Sequence, residues 1–297
     1  MSIIYRKLDD MSQLKVSKFE TENWYLMNWG MGDSINATLF LESQSPVPYK
    51  ILCRPGVYNA VKFILENFVE NPKCQEVEVY PIMSGYPIDQ DEVLMSKNGF
   101  GPQSIGNAHN LGRLKIMHFP PRDWWFVQKL ENCGILNKIN KYDSVEKTIE
   151  EKTCVLFPEC GDNFQLDDSF WEEIVDKLKE KGYRVFVNWT NKKDFYKQKI
   201  FNGTEKLDKF EIQDLCDHLV RHKNLVTIGL RTGIFDFLKF FGFRKIQFYP
   251  DLENLNRSDP TRALYEWCHL ENDIYTKNSI EMKLSNYKPE VLDFIIP

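Results

Sequence analysis

The feature that most constrains this chain is an alternation. Short apolar runs of four to six residues are each followed by a stretch whose apolar side chains recur at helical spacing. Runs of that length read as strands buried on both faces, and the periodic stretches as helices lying over them, which is the signature of βαβ units around a parallel sheet. In the first half, Trp24 to Asn28, Tyr49 to Cys53, Val77 to Ile82 and Leu114 to Phe119 read as strands. Asp33 to Ser43, Gly56 to Glu70 and Asp123 to Asn132 read as helices, the second with Val57, Ala60, Val61, Ile64, Leu65 and Phe68 on one face. Residues 84 to 110 are polar and rich in glycine, and read as a long functional loop.

The charged, weakly patterned residues 134 to 152 suit a connection between domains near 145 to 152, after which the rhythm restarts. Cys154 to Phe157, Arg184 to Asn188, Leu225 to Gly229 and Lys245 to Tyr249 read as strands. Asp168 to Lys181, Lys206 to His222, Gly233 to Phe241 and Pro260 to Leu270 read as helices, the first stopped by Gly182 and the last capped by Asp259. The expected architecture is therefore α/β: two doubly wound, Rossmann-like domains, 1–148 and 149–297, facing one another across a cleft. Ligands would sit at the carboxyl ends of the strands.

Length agrees with that count, since 297 residues is about two domains at roughly 100 to 200 residues each. The formal net charge of −5 disfavours nucleic acid as a partner, because phosphate-backbone binding leaves a positive footprint. Seven cysteines are odd in number and too sparse for a disulfide scaffold, so they read as reduced thiols. The first ten residues carry acids where a signal peptide has an apolar core, and no stretch reaches the roughly 18 apolar residues of a membrane span. The expected location is the cytoplasm, with peripheral contact at the inner face of the membrane as a variant of it. In that compartment the four Asn-x-Ser/Thr matches, at Asn36, Asn188, Asn202 and Asn256, carry no glycosylation meaning.

Three strand-to-helix turns could carry chemistry. Gly30-Met-Gly-Asp-Ser-Ile35 follows the first strand, where glycines admit close approach of a ligand and Asp33 stands at a helix start. A carboxylate there is either a general base or an N-cap. Thr227-Ile-Gly-Leu-Arg-Thr-Gly-Ile-Phe-Asp236 repeats the arrangement: Thr232, Gly233 and the following amides suit a phosphate, and Arg231 adds a planar cationic fork. It matches neither a Walker nor a Rossmann fingerprint, and a structural turn with a solvated Arg is the alternative. Phe157-Pro-Glu-Cys-Gly-Asp-Asn163 should lie beside it, with Glu159 and Gly161 lining the same place or Glu159 serving only as a loop acid. His218 and His222, four apart on an expected helix, lack the HExxH context and third ligand of a metal site. Trp124 and Trp125, after Pro-Pro-Arg, suit stacking on a sugar ring, a membrane interface or simple core packing.

In order along the chain, these turns resemble the lipopolysaccharide heptosyltransferases, glycosyltransferase family nine, which are inverting enzymes of GT-B fold. Trp29-Gly-Met-Gly-Asp-Ser-Ile-Asn36 is similar to that family's N-terminal Met-Gly-Asp element. Asp167-Asp-Ser-Phe-Trp171 with Val185-Phe-Val-Asn-Trp189 resembles its donor-domain opening, and Thr227 to Asp236 its strand followed by Asp-Thr-Gly-Leu-Ser-His. Two positions depart from the pattern: the family's lysine before the helix Trp corresponds to Ser169 or Phe170, and its Asp before Thr-Gly is Arg231. One cation is lost and another gained.

The resemblance implies Asp33 as catalytic base and a donor diphosphate at Thr232 and Gly233, with Arg231, Gly161 and Glu159 around it. Gly32, Ser34, His109 and Trp125 are expected to bind the acceptor. The function implied is a metal-independent, cofactor-free transfer of a sugar from a nucleotide-sugar donor to a glycan or glycolipid acceptor of a lipopolysaccharide, capsule or related surface polymer. Its 1–148 half would hold the acceptor and its 149–297 half the donor. The competing readings are a GT-B-like sugar-nucleotide epimerase or hydrolase, which would consume donor without acceptor, and a catalytically inert nucleotide- or glycan-binding protein.

Overall fold

The computed structural model describes residues 2–9, 23–27, 31–79, 114–116, 142, 144–159, 166–188, 202–207, 211–230, 232–238, 240–249 and 278–297. The helices expected at 123–132 and 260–270, with the cap at Asp259, and the long loop at 84–110 lie outside these residues. The chain divides into two compact units, Met1–Lys138 and Ile139–Pro297.

The N-terminal unit is built on a parallel sheet of β1 (Ile4–Lys7), β2 (Trp24–Met27), β3 (Tyr49–Cys53), β4 (Cys74–Val79) and β5 (Leu114–Ile116), in the order β1-β4-β3-β2-β5. Helix α1 (Met31–Gln44) joins β2 to β3 and α2 (Pro55–Asn67) joins β3 to β4. Both crossovers advance in the same direction, so right-handedness places both helices on one face, where they pack against each other. That face carries Tyr5, Met27, Ile51 and Val77: Thr38 Oγ1 of α1 lies 3.7 Å from the Met27 sulfur, and Lys62 of α2 sits 5.1 Å from the Tyr5 ring centre. By strand alternation, Glu76 and Glu78 point to the other face. There Glu76 pairs with Arg6 at 3.1 Å and Lys50 at 3.0 Å.

The far end of α1 is fixed by a buried carboxylate. Glu42 accepts from the Tyr49 hydroxyl at 2.7 Å and from the backbone N–H groups of Lys73 and Cys74 at 2.8 and 3.1 Å. One side chain thereby ties a helix to the starts of two strands and satisfies amides that the ladder leaves open.

The C-terminal unit has a six-stranded parallel sheet. Its strands are β6 (Ile149–Phe157), β7 (Arg184–Val187), β8 (Glu205–Lys206), β9 (His222–Leu230), β10 (Arg244–Tyr249) and β11 (Ser279–Lys283), ordered β11-β10-β9-β6-β7-β8. Helices α3 (Asp168–Glu180), α4 (Ile212–Leu219) and α5 (Gly233–Leu238) connect them, and α6 (Val291–Ile295) follows the last strand. Trp171, Ile174 and Leu178 of α3 are buried against Leu156, Val185 and Ile228. α3 ends as its sequence predicts: Gly182 takes φ 80°, its N–H bonds Lys179 O, and the Tyr183 N–H bonds Leu178 O, which is a Schellman motif. The chain end is held to this helix by a Lys177–Asp293 ion pair at 2.7 Å, Lys181 on the Ile296 carbonyl and the Tyr183 hydroxyl on Pro297 O.

Two expectations need correction. The helix expected over 206–222 is broken into strand β8 and the shorter α4, and His222 opens β9 rather than ending a helix. The stretch 149–152, read as connection, is the first half of β6; it bonds β9, with Ile149 opposite His222 and Lys152 opposite Asn224. Its residues are mostly exposed, so no apolar pattern marked them. Edge strands β1 and β11 and helix α6 were not anticipated. Their short runs interleave charged residues, and pairing rather than periodicity defines them. Among the described residues no helix is long and apolar enough to cross a membrane.

Candidate functional site

Each sheet has a point where its strand order reverses. In the N-terminal unit the chain runs outward from β2 through β3 to β4, while β5 lies on β2's other side. In the C-terminal unit it runs outward from β6 through β7 to β8 and then returns to place β9 against β6. Connections leaving such a pair of strands diverge to opposite faces, opening a crevice at the carboxyl ends where ligands bind in doubly wound folds. The turns singled out by sequence follow β2, β6 and β9, the strands flanking these two points.

At the first point, α1 begins at Met31, so Asp33 is the third helical residue and the backbone position of an N-cap falls before it. Within α1 the Thr38 hydroxyl donates to Ser34 O at 2.8 Å. Ser34 is 1% exposed, and among the described residues its Oγ has no hydrogen-bond partner. Gly32 is buried beside it. The side chain of Asp33 lies outside the description, as do His109 and Trp125. Sequence reasoning passed over a neighbour, Arg54, which ends the β3-to-α2 turn with its backbone N–H 3.4 Å from Met27 O.

At the second point, Phe157 of β6 stands opposite Gly229 of β9, so the turn carrying Glu159 and the turn carrying Thr232 and Gly233 leave adjacent strands. Gly229 is required by this closeness: a Cβ there would meet Phe157 O at 2.5 Å and the Phe235 ring at 2.8 Å. The Phe235 N–H bonds Thr232 O at 2.9 Å, closing the first turn of α5, and the Phe157 and Phe235 rings meet edge to face at 5.9 Å. Thr232 Oγ1 is buried, and among the described residues it has no hydrogen-bond partner. Arg231 and Gly161 lie outside the described residues.

Phe170, where the resemblance would have a lysine nearby, packs its ring against Trp171, Phe248 and Tyr287 at 5.3, 5.1 and 4.7 Å. It contributes packing and no charge. His218 and His222 come together across a helix-to-strand junction, with Nε2 atoms 3.4 Å apart and His222 Nδ1 3.0 Å from Thr153 Oγ1. Burial, reinforced by the charges of His218 and Arg184, lowers the His222 imidazole to about 4. Among the described residues no group of three His, Cys, Asp or Glu side chains is arranged to hold a metal ion.

No protein family profile matches the chain, and no curated protein matches it in sequence. Its fold does have solved counterparts. E. coli heptosyltransferase WaaC with ADP is 11% identical, with a TM-score of 0.54, over 92% of this chain and 98% of that one. The same enzyme with ADP-2-deoxy-2-fluoro heptose is 12% identical, with a TM-score of 0.52 over the same shares. At that identity the likeness is one of fold, and it spans nearly the whole of both chains.

Proposed function

We propose that this protein is an inverting, metal-independent glycosyltransferase that moves a sugar from a nucleotide-activated donor onto a surface-glycan acceptor. The observation that carries the reading is the coincidence of a heptosyltransferase-like fold with hydroxyls at both switch points that have no hydrogen-bond partner among the described residues, Ser34 beside Asp33 and Thr232 beside Gly233. In this reading the N-terminal unit holds the acceptor and the C-terminal unit the donor. Asp33 takes the proton of the acceptor hydroxyl as its oxygen attacks the anomeric carbon. The bond from that carbon to the phosphate oxygen breaks on the opposite face, and its electron pair leaves with the nucleotide diphosphate. Thr232, the amide of Gly233 and Arg231 receive the departing charge, with Glu159 and Gly161 in the adjoining turn. Donors fixed in place before the reaction need no reorganisation as charge develops, which is why a metal is not required.

The test is a panel of nucleotide sugars, each incubated with and without extracted bacterial surface glycans, in the presence and absence of EDTA, with release of nucleotide diphosphate as readout. Acceptor-dependent release that survives EDTA is expected. Release without any acceptor would instead make the protein a hydrolase or epimerase, and donor binding without release would make it an inert binder. Loss of transfer in EDTA that manganese or magnesium restores would overturn metal independence.

A further inference from the structure

We propose that His218 and His222 chelate one divalent transition-metal ion of the zinc type, clamping α4 to the start of β9, with water completing the coordination shell. The site is structural and stands apart from the transferase reading. His222 opens β9 and Leu230 ends it, so by strand rise the pair lies roughly 26 Å from the turn that carries Thr232.

Two imidazole nitrogens bound to one tetrahedral zinc at about 2.0 to 2.1 Å each stand about 3.4 Å from one another. The Nε2 atoms of His218 and His222 are 3.4 Å apart. That separation is long for an N–H hydrogen bond and right for two ligands of one ion. The ring centres lie 4.9 Å apart with their planes inclined at 66°, too close for two rings pointing head-on, so the nitrogens are set at an angle to each other. Both ligands stand on fixed backbone. His218 is in the last turn of α4, and only Val220 and Arg221 separate that helix from β9, their N–H groups bonded to Cys216 O and His218 O at 3.0 and 3.3 Å.

A second, independent observation fixes the proton on His222. The buried Thr153 hydroxyl donates its single hydrogen to Glu151 O at 3.2 Å, so toward His222 Nδ1, 3.0 Å away, it accepts. Nδ1 therefore carries the hydrogen, and Nε2 turns a bare lone pair toward His218. Metal-binding histidines are held in this way, the far N–H given to a fixed acceptor so that the near nitrogen is aimed and unprotonated. The charges nearby suit a dication: Arg184 is held by Glu205 at 2.5 Å and by Glu151 at 3.3 Å, one cation between two carboxylates. His222 is buried while His218 is half-buried, which leaves the ion a way in. Among the described residues no third His, Cys, Asp or Glu joins the pair, so the remaining positions go to water, and an ion that favours imidazole over oxygen is the one retained.

The full chain, stripped with EDTA and desalted, would be titrated with zinc chloride and with magnesium chloride by calorimetry, and melted with and without each salt. Zinc should bind one ion per chain at this pair and raise the melting temperature, whereas magnesium, which seeks oxygen ligands, should do neither. His218→Gln and His222→Gln should each abolish that binding and the melting shift. Thr153→Val, which leaves both ligands in place and removes only the acceptor behind His222, should weaken zinc ten- to hundredfold. Melting without metal confirms that each variant folds. Should His222→Gln fail to fold, the half-buried His218 and the Thr153 change carry the test. Absence of a zinc-dependent melting shift in the wild type, or undiminished zinc affinity in folded His218→Gln, would overturn the site. Sugar transfer is read separately. Zinc binding through the pair in a protein that transfers no sugar would keep the site and remove the transferase reading, and transfer by a protein that ignores zinc would do the reverse.

Discussion

A Cβ on Gly229 would stand 2.5 Å from the carbonyl oxygen of Phe157, a separation that side-chain carbons do not adopt. The ends of β6 and β9 therefore close up because one residue lacks a side chain, and the turns bearing Glu159 and Thr232 are set side by side. Gly229→Ala must push backbone apart, since the obstacle is a carbonyl rather than the tip of a flexible side chain. A loss of about 1 to 3 kcal/mol is expected, as for other overpacked sites, measured by urea unfolding. Wild-type stability would show that the two strand ends separate freely.

The frame was legible in the sequence because central parallel strands are continuous apolar runs. Tyr49–Cys53 appears as read, and β2, α1, α2, α3 and β10 differ only at their ends. What was not legible is order that comes from pairing. Glu150 and Lys152 look like linker, and become strand because they face β9, where the Asn224 side chain donates to Glu150 O at 2.9 Å. The same holds at the site. Glycines between an apolar run and a helix marked the turns of Asp33 and Thr232, whereas an arginine is ordinary in any sequence. Arg54 stands out only once its Nε is seen to be enclosed with no acceptor among the described residues.

His222 makes stability depend on pH in a definite direction. Its imidazole titrates near 4 in the folded chain and near its ordinary 6.5 when unfolded. Between those values the unfolded chain binds the extra proton, so stability present above about 6.5 is lost as pH falls toward 4. Denaturant titrations from pH 4 to 7 should show a loss of about 3 kcal/mol that His222→Gln removes. Identical slopes in the two proteins would mean that carboxylates elsewhere account for acid unfolding.

Asp33→Asn keeps the size of the side chain and removes its basicity. If Asp33 is the base, turnover should drop by roughly two orders of magnitude or more while donor affinity hardly changes. Transfer at the wild-type rate with saturating acceptor would reduce Asp33 to a contributor to the start of α1.

The enclosed hydroxyl of Thr232 separates a ligand role from a structural one. Among the described residues Oγ1 bonds nothing, so Thr232→Val, which keeps the shape, should leave the stability of the ligand-free protein unchanged or slightly raised. If that hydroxyl serves a donor phosphate, the same change should weaken a nucleoside diphosphate by about 1 kcal/mol, roughly fivefold, and the parent nucleoside much less. Arg231→Ala, which removes a full charge beside it, should cost about ten- to hundredfold on the diphosphate, and Arg231→Lys should recover only part because a point charge lacks the fork. Calorimetric titration of diphosphate and nucleoside against each variant gives the answer. A Thr232→Val variant that is less stable yet binds the diphosphate normally would make the hydroxyl a packing element and move the phosphate away from the β6/β9 switch point. Equal weakening of diphosphate and nucleoside would instead place the nucleoside, not the phosphate, against this turn.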